Sequence, residues 1–262
     1  MDAFDIIVVA GQSNAQGCGV GEVYNEYLPT SAVWQLEQPL TAEHKPETVV
    51  VNFIGKPVLS VAEEKRENNG KIGNFAFSFA REYVDGGLLK KDRKLLIIRF
   101  GIGGTGFKKG QWGLNDQVYL KMLETIDYAL SMNTENRLTA FLWHQGEHDA
   151  FEKNAPDLFE KQLYDMITSV KERYKTPTLP FIAGDFVHDW KNKNLSDCAP
   201  IVEKIKSVIK RVGNAAFVET DGLLSNDEKN ANGDDIHFCR AALYELGERY
   251  FEAFLKITQA SF

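Results

Sequence analysis

A parallel β-sheet covered by helices on both faces is the fold class this sequence predicts. Short apolar runs alternate with amphipathic segments of helical period along the chain, which is the order expected of repeated β-α units. The first run, Phe4–Ala10, is apolar almost without a break, as in a strand buried on both faces. Glycine-dense or polar stretches follow several of the apolar runs, where loops should leave the carboxyl ends of strands.

After Phe4–Ala10, the next strand candidate is Thr48–Ile54. The segment Ile72–Val84 reads as a helix, because Ala76, Phe79, Ala80 and Tyr83 share one face and Asn74 can cap it. Lys94–Phe100 is the following strand and runs into Gly101-Ile102-Gly103-Gly104-Thr105-Gly106. Asn115–Met132 is a helix with Val118, Met122, Ile126 and Leu130 on one stripe. Leu138–Trp143 is a strand, Leu158–Tyr174 a helix, Leu179–Asp185 a strand, Pro200–Val212 a helix and Ala216–Thr220 a short strand. Cys239–Ile257 closes the chain as a helix with Leu243, Leu246, Tyr250 and Phe254 along one side. No linker, repeat or shift in composition divides residues 1–262, so one domain is expected.

The 262 residues carry 30 Lys+Arg against 37 Asp+Glu, a net charge of −7. A positive field to meet phosphate is missing, which argues against nucleic acid and basic membrane-surface binding. No apolar run approaches the roughly 18 residues that span a bilayer. Cys18, Cys198 and Cys239 are too scattered for a disulfide framework and read as thiols. The N-terminus enters a strand with no basic leader, so a cytoplasmic location is expected unless a leader has been removed. Nothing in the composition bears on oligomeric state.

Four loops carry chemistry. Gly11-Gln12-Ser13-Asn14 leaves the first strand, where a serine hydroxyl stands above the sheet edge and backbone N–H groups can meet a developing anion. The same position suits a helix N-cap, and Ala15 rules out the G-x-S-x-G elbow. Gly103-Gly104 can bring a backbone N–H close to a ligand, or form a plain turn. Trp143-His144-Gln145-Gly146-Glu147-His148 contains H-x-x-E-H, so a zinc site on His144 and His148 is an alternative, although the motif follows a strand and Gly146 interrupts it. Gln145 offers instead a neutral amide donor. Asp234-Asp235-Ile236-His237 places a carboxylate three residues before an imidazole whose tautomer it can fix, or else forms a solvated acidic loop.

Taken together these supply the parts of an acyl-transfer site, and the blocks resemble those of the SGNH (GDSL-like) hydrolase superfamily. The G-Q-S-N, W-H-Q-G-E and D-x-x-H-F blocks are similar to the branch holding sialate O-acetylesterases and carbohydrate esterase family six acetylxylan esterases. The resemblance implies a three-layer α/β/α, flavodoxin-like fold with about five parallel strands. It implies Ser13 as nucleophile, His237 as base and then acid, and Asp234 as the orienting residue. The oxyanion hole would be the N–H groups of Ser13 and Gly104 with the Gln145 side chain, and Glu147 is a possible supporting acid. Asp235 is a weaker candidate. The implied substrate is an acetylated carbohydrate, with no metal or organic cofactor. A flavodoxin-like anion-binding protein that hydrolyses nothing is the alternative from another class. Trp112, Trp143 and Trp190 could stack on a sugar but equally suit a core, and Lys108 and Lys109 could attract an acidic sugar or simply be solvated.

Overall fold

The computed structural model describes residues 2–45, 48–64, 73–107, 110–151 and 155–259. Its strands are β1 (Ala3–Gly11), β2 (Val33–Glu37), β3 (Leu40–Lys45), β4 (Thr48–Phe53), β5 (Val58–Val61), β6 (Arg93–Gly101), β7 (Arg137–His144), β8 (Phe181–Gly184) and β9 (Ala215–Val218). The helices are α1 (Ser13–Gln16), α2 (Phe75–Asp85), α3 (Gln117–Ser131), α4 (Glu147–Phe151), α5 (Pro156–Arg173), α6 (His188–Lys193), α7 (Leu195–Val212), α8 (Asn226–Asn230) and α9 (Arg240–Gln259). Among the described residues, no helix is long and apolar enough to cross a membrane.

The main sheet runs β5-β2-β6-β1-β7-β8-β9. All its neighbours pair in parallel except β5, which is antiparallel to β2 at the edge. Every residue of β1 is buried, as an apolar run broken only by Asp5 requires of a strand with helices on both sides. The expected strands at Phe4–Ala10, Lys94–Phe100, Leu138–Trp143, Leu179–Asp185 and Ala216–Thr220 are β1, β6, β7, β8 and β9. Numbered among themselves in chain order they lie 2-1-3-4-5, the flavodoxin-like order, which reverses direction around β1 and so opens a crevice at its carboxyl end.

Two strands of this sheet, β2 and β5, fall outside the expected set. Both are short, and β5 lies on a solvent-facing edge with no residue fully buried. The segment Thr48–Ile54 is a strand, β4, but it pairs antiparallel with β3 in a separate hairpin. Only Val49 and Val51 of β4 are buried, and that alternation marks a one-sided ribbon rather than a central strand.

Helix α2 packs on α9, and α5 on α7. Phe79 meets Phe251 and Phe254 edge-on, with both pairs of ring centroids 5.7 Å apart. Asn74 caps α2 by accepting from the Ala76 N–H at 2.7 Å, and its Nδ2 donates to Ala15 O at 2.8 Å. The start of α2 is therefore tied to α1. Helix α7 begins at Leu195 and contains Pro200 within it, whereas the sequence places its start at the proline.

Candidate active site

The turn from β1 into α1 sets the first functional group. Gly11 has φ +137°, and a Cβ there would lie 2.0 Å from the His144 carbonyl oxygen. Only glycine lets β1 and β7 close together at this point. Gln12 N–H donates to His144 O at 3.0 Å, and Ser13 follows as the first residue of α1. The N-cap is Gln12, without a side-chain cap bond, so Ser13 does not serve as the cap. N–H groups in the first turn of a helix have no carbonyl partner within it.

The loop after β6 lies against this turn. A Cβ on Gly103 would stand 3.6 Å from Ser13 Cβ, while the Gly103 N–H is already donated to Gln16 Oε1 at 2.9 Å. Gly104 has φ +73°, and a Cβ on it would meet Val49 Cγ2 at 2.9 Å and the His44 ring at 3.2 Å. The β3–β4 hairpin thus presses on the glycine loop.

The loop before α9 supplies an imidazole and its carboxylate. His237 Nδ1 lies 2.8 Å from Asp234 Oδ1. Since the carboxylate only accepts, Nδ1 carries the proton and Nε2 is left as the basic atom. Burial alone would raise the Asp234 carboxyl, but hydrogen bonds from His237 and Asn226 outweigh it and hold it below its ordinary range. Asn226 Nδ2 donates to Asp234 Oδ2 at 2.8 Å, and Asn226 N–H donates to His237 O at 2.8 Å. Asp235 is turned to Lys193 at 3.0 Å.

Asn14 brings this loop to Ser13. Its Oδ1 accepts from Phe238 N–H at 3.2 Å and its Nδ2 donates to Ile236 O at 3.2 Å. His237, between those two residues, is therefore fixed beside the β1–α1 turn that carries Ser13. His237 and Asp234 also line a cleft of about 720 Å³ with Gly103, Arg99 and His44.

Glu147 lies deeper. It is fully buried, and its Oε1 accepts from Asn14 Nδ2 at 2.8 Å and stands 3.6 Å from His144 Nε2. Burial pushes its carboxyl up, with Asn14 opposing. The carboxylate in hydrogen-bond contact with His237 is Asp234.

Gln145 is fully buried too. Its Nε2 donates to Asp149 Oδ2, with Gln12 Oε1 and Thr105 O each 3.4 Å away. Gln12 Oε1 in turn accepts from His148 N–H at 3.0 Å. The zinc reading needs His144 and His148 on one helical face. Instead His144 ends β7 and His148 lies in α4. Burial holds the His144 imidazole down to about 3, and its Nδ1 is 3.1 Å from the Tyr250 hydroxyl. Among the described residues no group of three metal-ligating side chains converges.

Trp112 and Trp143 are fully buried and meet edge-on at 5.0 Å, and Trp190 is 4% exposed. All three are core residues. Lys108 and Lys109 lie outside the described residues. The sequence reading assigned no role to Asn226 or Asn14. Asn14 stands in the G-Q-S-N block and could have been flagged there, whereas Asn226 lies outside the D-x-x-H block it supports, 8 residues before Asp234, and its remaining contacts at Cys18 and Val20 lie over 200 positions away.

A serine at the switch point of a 2-1-3-4-5 sheet, with an Asp-paired histidine delivered by the last loop, defines an ester hydrolase of the SGNH (GDSL-like) type. The family model for "carbohydrate esterase, sialic acid-specific acetylesterase" matches residues 3–256, and the chain belongs to that family. Among solved structures it is similar to NanS, with a TM-score of 0.78 at 19% identity, covering 99% of this chain and 98% of NanS. A protein from Arabidopsis thaliana is similar at a TM-score of 0.67 and 17% identity, covering 98% of this chain and 99% of that one. The Clostridium thermocellum family 3 carbohydrate esterase shares the fold at a TM-score of 0.52 and 12% identity, with 98% of each chain covered. No curated protein matches the chain in sequence. The protein is a carboxylic ester hydrolase that removes O-acetyl groups from carbohydrate.

Proposed function

We propose that the substrate is an O-acetylated sialic acid and that Ser13 is the nucleophile. The family supports the substrate, and one observation carries the mechanism: the His237–Asp234 pair at 2.8 Å, held beside Ser13 through Asn14. Ser13 Oγ attacks the acetyl carbonyl as His237 Nε2 takes its proton. The tetrahedral intermediate collapses to acetyl-Ser13, and the sugar oxygen leaves with the proton from His237. Water, deprotonated by the same nitrogen, then releases acetate and restores Ser13. Asp234 keeps the imidazole in one tautomer and stabilises the imidazolium in both halves. Acetate release from O-acetylated sialic acids, measured beside acetylated xylan, tests the substrate. Sialate is expected to be turned over with the higher kcat/KM, and the reverse order would overturn that choice.

The oxyanion donors in this reading are the N–H groups of Ser13 and Gly104 and the amide of Gln145. Asp149 holds the Gln145 nitrogen at the β1–α1 turn, while its approaches to Gln12 and Thr105, at 3.4 Å, are long and weak. An oxyanion is a stronger acceptor than either. Gln145→Ala is therefore expected to lower kcat on a small aryl acetate by roughly 100- to 1,000-fold with little change in KM. A normal kcat there would remove Gln145 from the oxyanion hole.

A further inference from the structure

The last loop delivers His237 from a part of the chain more than 220 residues away from Ser13, and a displacement near 1 Å between base and nucleophile costs about 100-fold in rate. Something must register the two loops. The residue placed to do it is Asn14, next to the nucleophile and fully buried. Its amide meets the backbone on both sides of His237, accepting from Phe238 N–H at 3.2 Å and donating to Ile236 O at 3.2 Å. The same Nδ2 donates to Glu147 Oε1 at 2.8 Å.

The two backbone bonds fix which way the amide points, and the third anchors its nitrogen from the other side. The Phe238 N–H can only donate and the Ile236 carbonyl can only accept, so Oδ1 faces the first and Nδ2 the second, and Nδ2 also reaches Glu147 Oε1. The flipped amide would set N–H against N–H at Phe238 and oxygen against oxygen at Ile236. Glu147 is therefore tied to the base loop at one remove, through Asn14.

We propose that Asn14 is a positioning residue that locks the His237 loop onto the Ser13 turn, and that the buried Glu147 acts on catalysis by anchoring the Asn14 amide in place. This rests on Ser13 and His237 being nucleophile and base. From the other side Asn226 completes the grip, bonding Asp234 and the His237 carbonyl, so the loop is held by a buried asparagine on each flank.

The test is a set of variants assayed on a small aryl acetate, with kcat expressed per folded molecule from circular dichroism. Asn14→Ala is expected to lose roughly 10- to 100-fold in kcat with KM within about threefold, because geometry rather than binding is lost. Asn14→Asp keeps the size and the acceptor for Phe238 N–H but cannot donate to Ile236 or Glu147, and is expected to lose kcat likewise. Glu147→Gln can still accept from Asn14 and should retain at least about tenfold more kcat than Glu147→Leu. The double variant Asn14→Ala/Glu147→Leu should lose far less than the product of the single losses, since both remove one clamp. Unchanged kcat per folded molecule in both Asn14 variants, or multiplicative losses in the double, would overturn the proposal. Ser13→Ala is run alongside. If it stays active, the underlying assignment has failed, and if it is dead while the Asn14 variants are normal, only the clamp has failed.

Discussion

Ser13→Ala is expected to reduce kcat for acetyl ester hydrolysis on the order of 10⁶-fold, to the level left by the oxyanion donors and substrate binding alone. The lost oxygen is the atom that becomes acylated, so no neighbour replaces it. Stability should change little, because the serine is 8% exposed in a turn and its removal opens no core cavity. Comparing kcat of the purified variant with its thermal melt separates the two effects. Wild-type turnover in a folded Ser13→Ala protein would remove Ser13 from the mechanism.

Asp234→Asn is expected to cost about 10⁴-fold in kcat. An asparagine oxygen could still accept from Nδ1, but its NH₂ could equally present itself to the ring and leave the proton on Nε2, the nitrogen that must be basic. The carboxylate also balances the imidazolium, and an amide does not. With its pKa lowered from 3.8, Asp234 contributes fully above that ordinary value, and the contribution is lost as pH falls through the lower folded value. Protonation of Asp234 therefore does not limit activity above about pH 4, and a pH–rate profile on wild type checks this. If Asp234→Asn were near normal while Glu147→Gln was crippled, Glu147 would be the orienting acid.

Much of this arrangement can be read from local sequence, for physical reasons. The strands β1, β6, β7 and β8 are largely buried, and continuous apolar runs announce such strands without reference to partners, while β9, at the sheet edge, is legible from its short apolar run alone. The edge strand β5, its neighbour β2 and the β3–β4 hairpin are short, β5 and β3 with no buried residue, and what places them is tertiary pairing. The same division runs through the site. Asp234 and His237 lie three residues apart, and their hydrogen bond is a local turn, visible as D-x-x-H. Asn14 reaches across the molecule to Glu147, Ile236 and Phe238, and Asn226, though only 8 residues from Asp234, is seated by its contacts at Cys18 and Val20; those partners exist only once the chain is folded. His144 shows the converse. Its H-x-x-E-H spacing is locally suggestive, yet the end of β7 buries the ring against Phe75, Phe238 and Tyr250.

Acylation of Ser13, activated by His237, is the step on which the proposed mechanism turns. The most direct measurement is mass spectrometry of the protein after exposure to an organophosphonate ester, followed by peptide mapping, on wild type and His237→Ala. One adduct is expected on wild type, located on Ser13, with labelling of His237→Ala slowed by orders of magnitude because the hydroxyl lacks its base. An adduct on another residue, or none on wild type while acetyl esters are still hydrolysed, would contradict it.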